Sequence, residues 1–378
     1  MKIAIVGGGP AGLYFAYLMN RDGAGHDITV IEQNAPDATF GFGVVFSDAA
    51  LSYLDDADPA SYATIRQKME VWDDLAIVHR DQRVAIDGNG FTGIGRLDLL
   101  KILQTLCRNA GVRLAFNTRL SDVSDLSEYD LIVGADGIGS LVREQRAEHF
   151  QPQISHLTNR FAWYGTRQPF DTLTLTFRQN EHGCFVAHHY RYQPDFSTFI
   201  VECDEATWQR APLSDWAEQD SLDYCGRLFA PDLGGHGLVA NKSIWRRFPV
   251  VTNRHWTHDN MVLIGDALRS VHFSIGSGTR LALEDSIALY RAFEAVGDDV
   301  RAGLRRFEQE RRPVVDKLLA AAANSFEWYE RFADLMPLSA VDLAHAYMTR
   351  SGRVSDERLR QIAPKFMATY DGEHRNDA

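Results

Sequence analysis

The sequence is short of several things, and each shortage narrows what the chain can be. No apolar run in its 378 residues approaches the roughly 18 needed to span a membrane, so no membrane role is expected. The four cysteines, Cys107, Cys184, Cys203 and Cys225, lie far apart without Cys-x-x-Cys spacing. That argues against a metal site and for reduced thiols in a cytoplasmic protein. Positive charge is scarce: 39 Lys and Arg face 51 Asp and Glu, a net charge of −12. Nucleic acid is therefore not an expected partner, because binding it takes a basic surface. An anionic small molecule in a local basic pocket stays open. The N-terminal "MKIAIVGGGP" is apolar, but glycines end it and no small-residue cleavage site follows; it reads as a buried strand, not a signal peptide. Internal repeats and low-complexity linkers are missing too, so a second domain is expected inside the first, not strung after it.

What is present starts with a strand, "KIAIV" (2–6), a helical periodicity over 10–20 and a second strand, "DITVIEQ" (27–33). Strand, helix and strand within about 30 residues make a βαβ unit. A helix is expected at 97–111, and strands at 112–117 and 130–137. From 159 to 254 the character changes to short aromatic β segments, among them "RFAWYGT", "CFVAHHYRY" and "SIWRRFPVV", which suggest an antiparallel sheet. The hairpin-like "LAIVHRDQRVAID" (75–87) can join it. After "NMVLIGDA" (260–267) the chain reads as mostly helical, with a frayed polar tail from 367.

"GGGPAG" places Gly7, Gly9 and Gly12 in Gly-x-Gly-x-x-Gly spacing between strand and helix. The first glycine permits the tight turn, the second lets backbone approach a pyrophosphate, and the third lets the helix pack on the sheet. Unpaired N–H donors at the helix start, here around Pro10 and Ala11, favour phosphate. Glu32, followed by Gln33, ends the second strand 20 residues after Gly12, where an acid accepts from ribose hydroxyls. This motif alone leaves FAD and NAD both open.

Two later stretches separate them. "DLIVGADGIGSLVR" (130–143) closes a strand with Asp136-Gly137, and "GDALRSVHFSIGSGT" (265–279) carries Gly265-Asp266 and then Gly276, Gly278 and Thr279. Together with the first turn they resemble the three signatures of the single-component FAD-dependent aromatic hydroxylases, the para-hydroxybenzoate hydroxylase type. The resemblance implies an α/β fold: a Rossmann-like, GR2-type FAD-binding domain, an inserted antiparallel-sheet substrate domain and a helical C-terminus. The expected division is 1–68, 97–158 and 255–325 for FAD, 69–96 and 159–254 for substrate, and 326–378 for the helical region. The resemblance further implies that Asp266 bonds a ribityl hydroxyl of FAD, that Arg96 lies near its phosphates, that 276–278 brings a helix N-terminus to the flavin ring, and that Val45 belongs to the cofactor site. NADH or NADPH and O₂ are implied co-substrates, and no second Gly-x-Gly-x-x-Gly marks a separate NAD(P)H domain.

The common family pattern after Gly-Asp-Ala has a His and a Pro-Pro pair; here those positions carry Arg269 and His272-Phe273. "HFSIGSGT", with "GFGVVFSD" (41–48), "WYGT" (163–166) and "MTRSGRV" (348–354), resembles a narrower branch. It holds salicyloyl-CoA 5-hydroxylase, the monooxygenase part of 2-aminobenzoyl-CoA monooxygenase/reductase and, further off, the indole hydroxylase of violacein biosynthesis. The implied activity is hydroxylation of an activated ring through a flavin C4a-hydroperoxide, on salicyloyl-CoA at position 5 to give gentisyl-CoA. With the chain ending at 378, reduction of the ring is not expected. An indole or tryptophan-derived metabolite and a 2-aminobenzoyl thioester are the alternatives within the class, and a non-catalytic FAD-fold partner-binding protein is the alternative outside it. His272 and His188 are the expected proton-transfer residues. Tyr164, His188, Tyr190, His272 and Phe273 are expected to line the substrate cleft, and Arg246-Arg247 is a candidate for CoA phosphates. A monomer or homodimer is expected.

Overall fold

The computed structural model describes residues 1–39, 41–47 and 51–375; Asp48 of the branch motif and 376–378 of the tail lie outside them. The first strand, Lys2–Val6, is the middle of a six-stranded sheet in which it pairs in parallel with Asp27–Ile31 on one side and Leu131–Gly134 on the other. Ile3, Ala4 and Ile5 are fully enclosed, because a parallel sheet is covered on both faces and its strands read as unbroken apolar runs. Arg113–Ala115 and Met261–Leu263 extend the sheet, and Thr257–His258 adds an antiparallel edge. The helix Pro10–Asn20 is buried at every position but its first. It packs against Arg96–Asn109 and Gly278–Val296.

The second sheet runs in the order Leu238–Ala240, Pro152–Thr166, Phe196–Cys203, Gly183–Gln193, Leu173–Asn180, Leu75–His79 and Gln82–Ile86, with Arg246–Asn253 also paired to Pro152–Thr166. The 75–87 hairpin does join it, through a parallel pairing with Leu173–Asn180. Three features differ from the sequence reading. The strand Pro152–Thr166 starts before 159, held over its first half by Arg246–Asn253. Two helices, Glu205–Arg210 and Glu218–Leu228, interrupt the expected run of strands and cover the outer face of the sheet through Trp208, Tyr224 and Cys225. Third, one helix, Val300–Glu330, passes through 325/326 unbroken.

The tail from 367 is not frayed over its described part. Pro364–Arg375 is a helix whose Phe366 and Met367 are buried against Ile86 and the neighbouring helices. The Asp87 carboxylate accepts from the Lys365 and Phe366 backbone N–H groups, meeting donors that a helix start leaves unpaired. None of the described helices is long and apolar enough to cross a membrane.

Candidate active site

Each glycine of the first turn has its own reason. Gly7 has φ +108, and a Cβ there would lie 2.3 Å from the Ala135 carbonyl oxygen, so only glycine lets the first strand's turn cross the strand Leu131–Gly134. A Cβ on Gly12 would meet the Gly7 oxygen at 2.2 Å; Gly12 sets helix-to-strand packing and does not face the cavity. A Cβ on Gly9 would meet nothing, since Gly9, Pro10 and Ala11 open onto a cavity of about 1220 Å³. No side chain caps this helix and no acid sits in its first turn, so its donors and partial positive charge face the cavity. Glu32 closes the turn from the far side: it accepts from Gly8 N at 2.8 Å and from Asn34 N at 2.8 Å. Gln33 and Val45 line the same space.

Asp136 and Gly137 also line the cavity. The Asp136 carboxylate is already committed, accepting from Ser140 Oγ at 2.5 Å and Leu141 N at 2.6 Å, so it shapes the turn. Arg143, from the same stretch, donates to the Ala267 carbonyl at 3.0 Å and so ties the second motif to the third.

The third motif is fixed by a buried charge cluster. Asp285, fully enclosed, accepts two bonds from Arg269 at 2.7 and 2.8 Å, one from Arg311 Nε at 2.9 Å and one from Gly265 N at 3.0 Å. Burial would raise the Asp285 carboxyl, but the two guanidinium groups outweigh it and hold it below the ordinary range. Arg269 thus pins the turn that presents Asp266. That side chain opens onto the cavity deep in the molecule; burial raises its carboxyl, opposed by Arg96 and Arg269. Arg96 faces the same cavity, and its guanidinium is lowered by burial against the pull of Asp266. Gly276, Gly278 and Thr279 bring a second helix start to this space, again with no side-chain cap and no first-turn acid.

Beyond the third motif the cavity ends in an aromatic wall. Side chains alternate along a strand, and on this face stand Phe161 and Trp163, His188 and Tyr190, and Ile200. Phe273 is the hub: its ring lies 4.8 Å from Phe161, 6.1 Å from Trp163 and 5.2 Å from His188. His188 Nε2 is 3.2 Å from Glu202 Oε2, and the Tyr190 hydroxyl donates to the Gly43 carbonyl at 2.9 Å.

Comparison with known proteins agrees with this geometry. A family model described as an FAD binding domain matches residues 126–322, and one described as a pyridine nucleotide-disulphide oxidoreductase matches residues 1–93. Salicyloyl-CoA 5-hydroxylase from a Streptomyces species is 36% identical over 361 residues, covering 93% of this chain and 70% of its own. The 3-hydroxy-4-methyl-anthranilyl-[aryl-carrier protein] 5-monooxygenase of Streptosporangium sibiricum is also 36% identical, covering 94% and 95%. Protodeoxyviolaceinate monooxygenase of Chromobacterium violaceum is 34% identical, covering 93% and 94%. The chain belongs to the FAD-dependent aromatic hydroxylases.

The hydroxylase uses FAD, NAD(P)H and O₂, and its cavity fits an extended dinucleotide: two uncapped helix starts, a glycine whose missing side chain leaves open space, and arginines, Arg96 among them, that offer positive charge to phosphates. Two expectations for the wall need correction. Tyr164 is one residue from Trp163, so it points to the opposite face, fully buried with Phe185, Phe199 and Cys225. It does not face the cleft. His272 is enclosed behind Phe273, its Nδ1 2.8 Å from Ser274 Oγ and accepting from Ser274 N. Burial pushes its imidazole down to about 4, so it is neutral near pH 7 and does not border the cavity. Sequence reasoning missed Phe161, Trp163 and Glu202, and also Tyr347 and Arg350, which reach the cavity from the C-terminal helices. No local pattern marks Trp163 over Tyr164, because both faces of their strand are covered.

Proposed function

We propose that this hydroxylase inserts one oxygen atom into the ring of an aromatic thioester, salicyloyl-CoA at position 5, giving gentisyl-CoA. The observation that carries the reading is a single cavity, about 1220 Å³, reaching from Glu32 to the wall at Trp163 and Phe273. It exceeds the roughly 300–1,000 Å³ of a pocket for one small ligand, which leaves room for an aryl group beside a dinucleotide. Two of the relatives above act, by their names, on rings carried as thioesters. Arg246 supports a carrier bearing phosphate: it borders the cavity, lies 5.3 Å over the Phe161 ring and has no carboxylate partner among the described residues. Arg247, in contrast, is paired with Glu205 at 3.1 Å.

In this reading Gly7, Gly9, Pro10, Ala11 and Arg96 serve the FAD phosphates, and Glu32 with Gln33 the adenosine ribose. Asp266 serves the ribityl chain, and Gly276, Gly278 and Thr279 serve the flavin ring, with Val45, Asp136 and Gly137 completing the cradle. Bound FAD supplies two electrons taken from NAD(P)H and an electrophilic oxygen from O₂. The chain positions the ring, and Phe161, Trp163, Phe248 and Phe273 keep water from it. Carbon 5 of the salicyl ring is para to the hydroxyl, whose lone pair makes it electron-rich. Four free, buried thiols suit a reducing compartment such as the cytoplasm.

The test is a panel: FAD-loaded protein with NADH or NADPH, ¹⁸O₂, and salicyloyl-CoA, free salicylate, 2-aminobenzoyl-CoA or an indole carboxylic acid. One labelled oxygen on salicyloyl-CoA and none on salicylate is the expected result. Labelling confined to the free acid, the aminobenzoyl ester or the indole overturns the proposal.

A further inference from the structure

We propose that Glu202 and His188 form a carboxylate–imidazole dyad that draws the proton from the ring hydroxyl of the substrate while the ring is oxygenated. The inference rests on the hydroxylase reading above and adds the group that moves the proton. Glu202 is 1% exposed and stands on Phe196–Cys203 diagonally across from His188, whose direct partner in the register is Ile200. One carboxylate oxygen meets His188 Nε2 at 3.2 Å, and the other accepts from Asn159 Nδ2 at 2.8 Å. Burial alone would raise this carboxyl, but the hydrogen bonds from His188 and Asn159 help hold it below the ordinary range. An enclosed carboxylate is unfavourable unless paired, and here its partner is the imidazole that borders the aryl end of the cavity.

The pairing fixes the tautomer. Nε2 carries the hydrogen that faces Glu202, so Nδ1 of the neutral ring is an acceptor. Among the described residues Nδ1 has no hydrogen-bond partner. On the rest of that wall Phe161, Trp163, Ile200, Phe248 and Phe273 offer no side-chain acceptor, and the Tyr190 hydroxyl, whose ionisation burial disfavours, already donates to the Gly43 carbonyl. The other titratable groups around His188 do not compete for the role. His272 is neutral and behind Phe273, Tyr329 is wholly buried with its ring 5.0 Å away, and His189 points to the opposite face toward Phe199. As carbon 5 bonds the electrophilic oxygen, the hydroxyl O–H bond breaks, its electron pair enters the ring, and the proton passes to Nδ1. Glu202 stabilises the imidazolium. His188 then returns the proton to that oxygen while the carbon 5 hydrogen leaves as a proton and aromaticity is restored. The net change is C–H to C–OH, with NAD(P)H supplying two electrons and the second oxygen atom leaving as water.

His188 is the catalytic residue in this scheme and Glu202 its positioning residue, and two measurements separate those roles from packing. In the first, oxidised FAD-loaded protein without NAD(P)H binds salicyloyl-CoA, and the ultraviolet spectrum follows ionisation of the bound ring hydroxyl against pH. Wild type is expected to ionise it at lower pH than in solution, His188→Gln to abolish that shift, Glu202→Gln to reduce it, and Glu202→Asp to restore most of it. Benzoyl-CoA, lacking the hydroxyl, should bind all four proteins alike. In the second, kcat for oxygen insertion falls about 100-fold or more in His188→Gln while KM changes little, and the NAD(P)H consumed appears as H₂O₂. Unchanged ionisation and kcat in His188→Gln overturn the dyad, and that variant at the cavity surface decides the matter if Glu202→Gln does not fold. Failure of wild type to oxygenate salicyloyl-CoA is instead a failure of the substrate reading, and the same two measurements then use whichever ring of the panel is labelled.

Discussion

His272→Asn isolates one buried titration. The imidazole is enclosed behind Phe273 and pushed down to about 4 by burial, whereas in an unfolded chain it titrates near 6.5. The folded protein therefore binds fewer protons here than the unfolded chain. The residue's contribution is full above about pH 7 and is lost as the pH falls from about 6.5 toward about 4. Integrating between pH 7 and pH 5 gives a loss of about 2 kcal/mol from this side chain alone. Glu202 and Asp285 are held low, so their contributions vanish only below the ordinary carboxylate range, outside this window. Asparagine retains an acceptor for Ser274 N, where the histidine caps a short turn, and cannot titrate. Urea unfolding of both proteins at pH 7 and pH 5, at one fixed FAD concentration, measures the gap between them. The gap should shrink by about 2 kcal/mol at pH 5, because only wild type loses stability through this group. A gap equal at both pH values would refute the placement of His272 in an enclosed site.

The remaining predictions probe the cradle and the wall. Gly7→Ala forces a Cβ against the Ala135 oxygen at positive φ; FAD affinity should drop about tenfold or more, ~1.4 kcal/mol, read as flavin retained after gel filtration. Asp285→Asn removes the charge that Arg269 and Arg311 share; breaking a buried pair costs about 3–5 kcal/mol, and thermal unfolding should fall accordingly, with flavin released early. Trp163→Ala opens the wall beside Phe273 and should raise KM and divert NAD(P)H oxidation to H₂O₂, whereas Tyr164→Phe, on the other face, should leave both unchanged.

The parts of this fold legible in the sequence were those coded locally. "KIAIV" and "LIVG" are buried on both faces and read as apolar runs, and Gly7 is required by a turn whose two strands can be recognised beforehand. The wall was harder for a physical reason. Both faces of the strand through "FAWYGT" are covered, one by the cavity and one by the cluster around Cys225, so the period-2 alternation that would separate Trp163 from Tyr164 is erased. The C-terminus was read as helical, but its end from 367 was read as frayed because its stabilisers are remote: Asp87 caps the last helix across 278 positions, and Phe366 packs on the hairpin strand bearing Ile86. The helix Glu205–Arg210 was readable, since Asp204 caps it by accepting from Thr207 N.

The three positions that depart from the common family pattern explain one another. A Pro-Pro pair stiffens a turn by fixing φ; here the stiffness comes from hydrogen bonds. Arg269 grips Asp285, Asn253 donates to the Ala267 and Leu268 carbonyls, Ser270 bridges Pro249 and Val251, and His272 caps Ser274. With the backbone held from outside, position 273 is free to carry a ring, and Phe273 becomes the point where the walls from two sheet strands meet. His272, one residue earlier, is turned inward by the same geometry. A neutral histidine packed behind the wall, and not a proton donor in front of it, is what this arrangement needs. That leaves proton movement at the ring to the imidazole on the facing strand, where Glu202 has fixed which nitrogen is available.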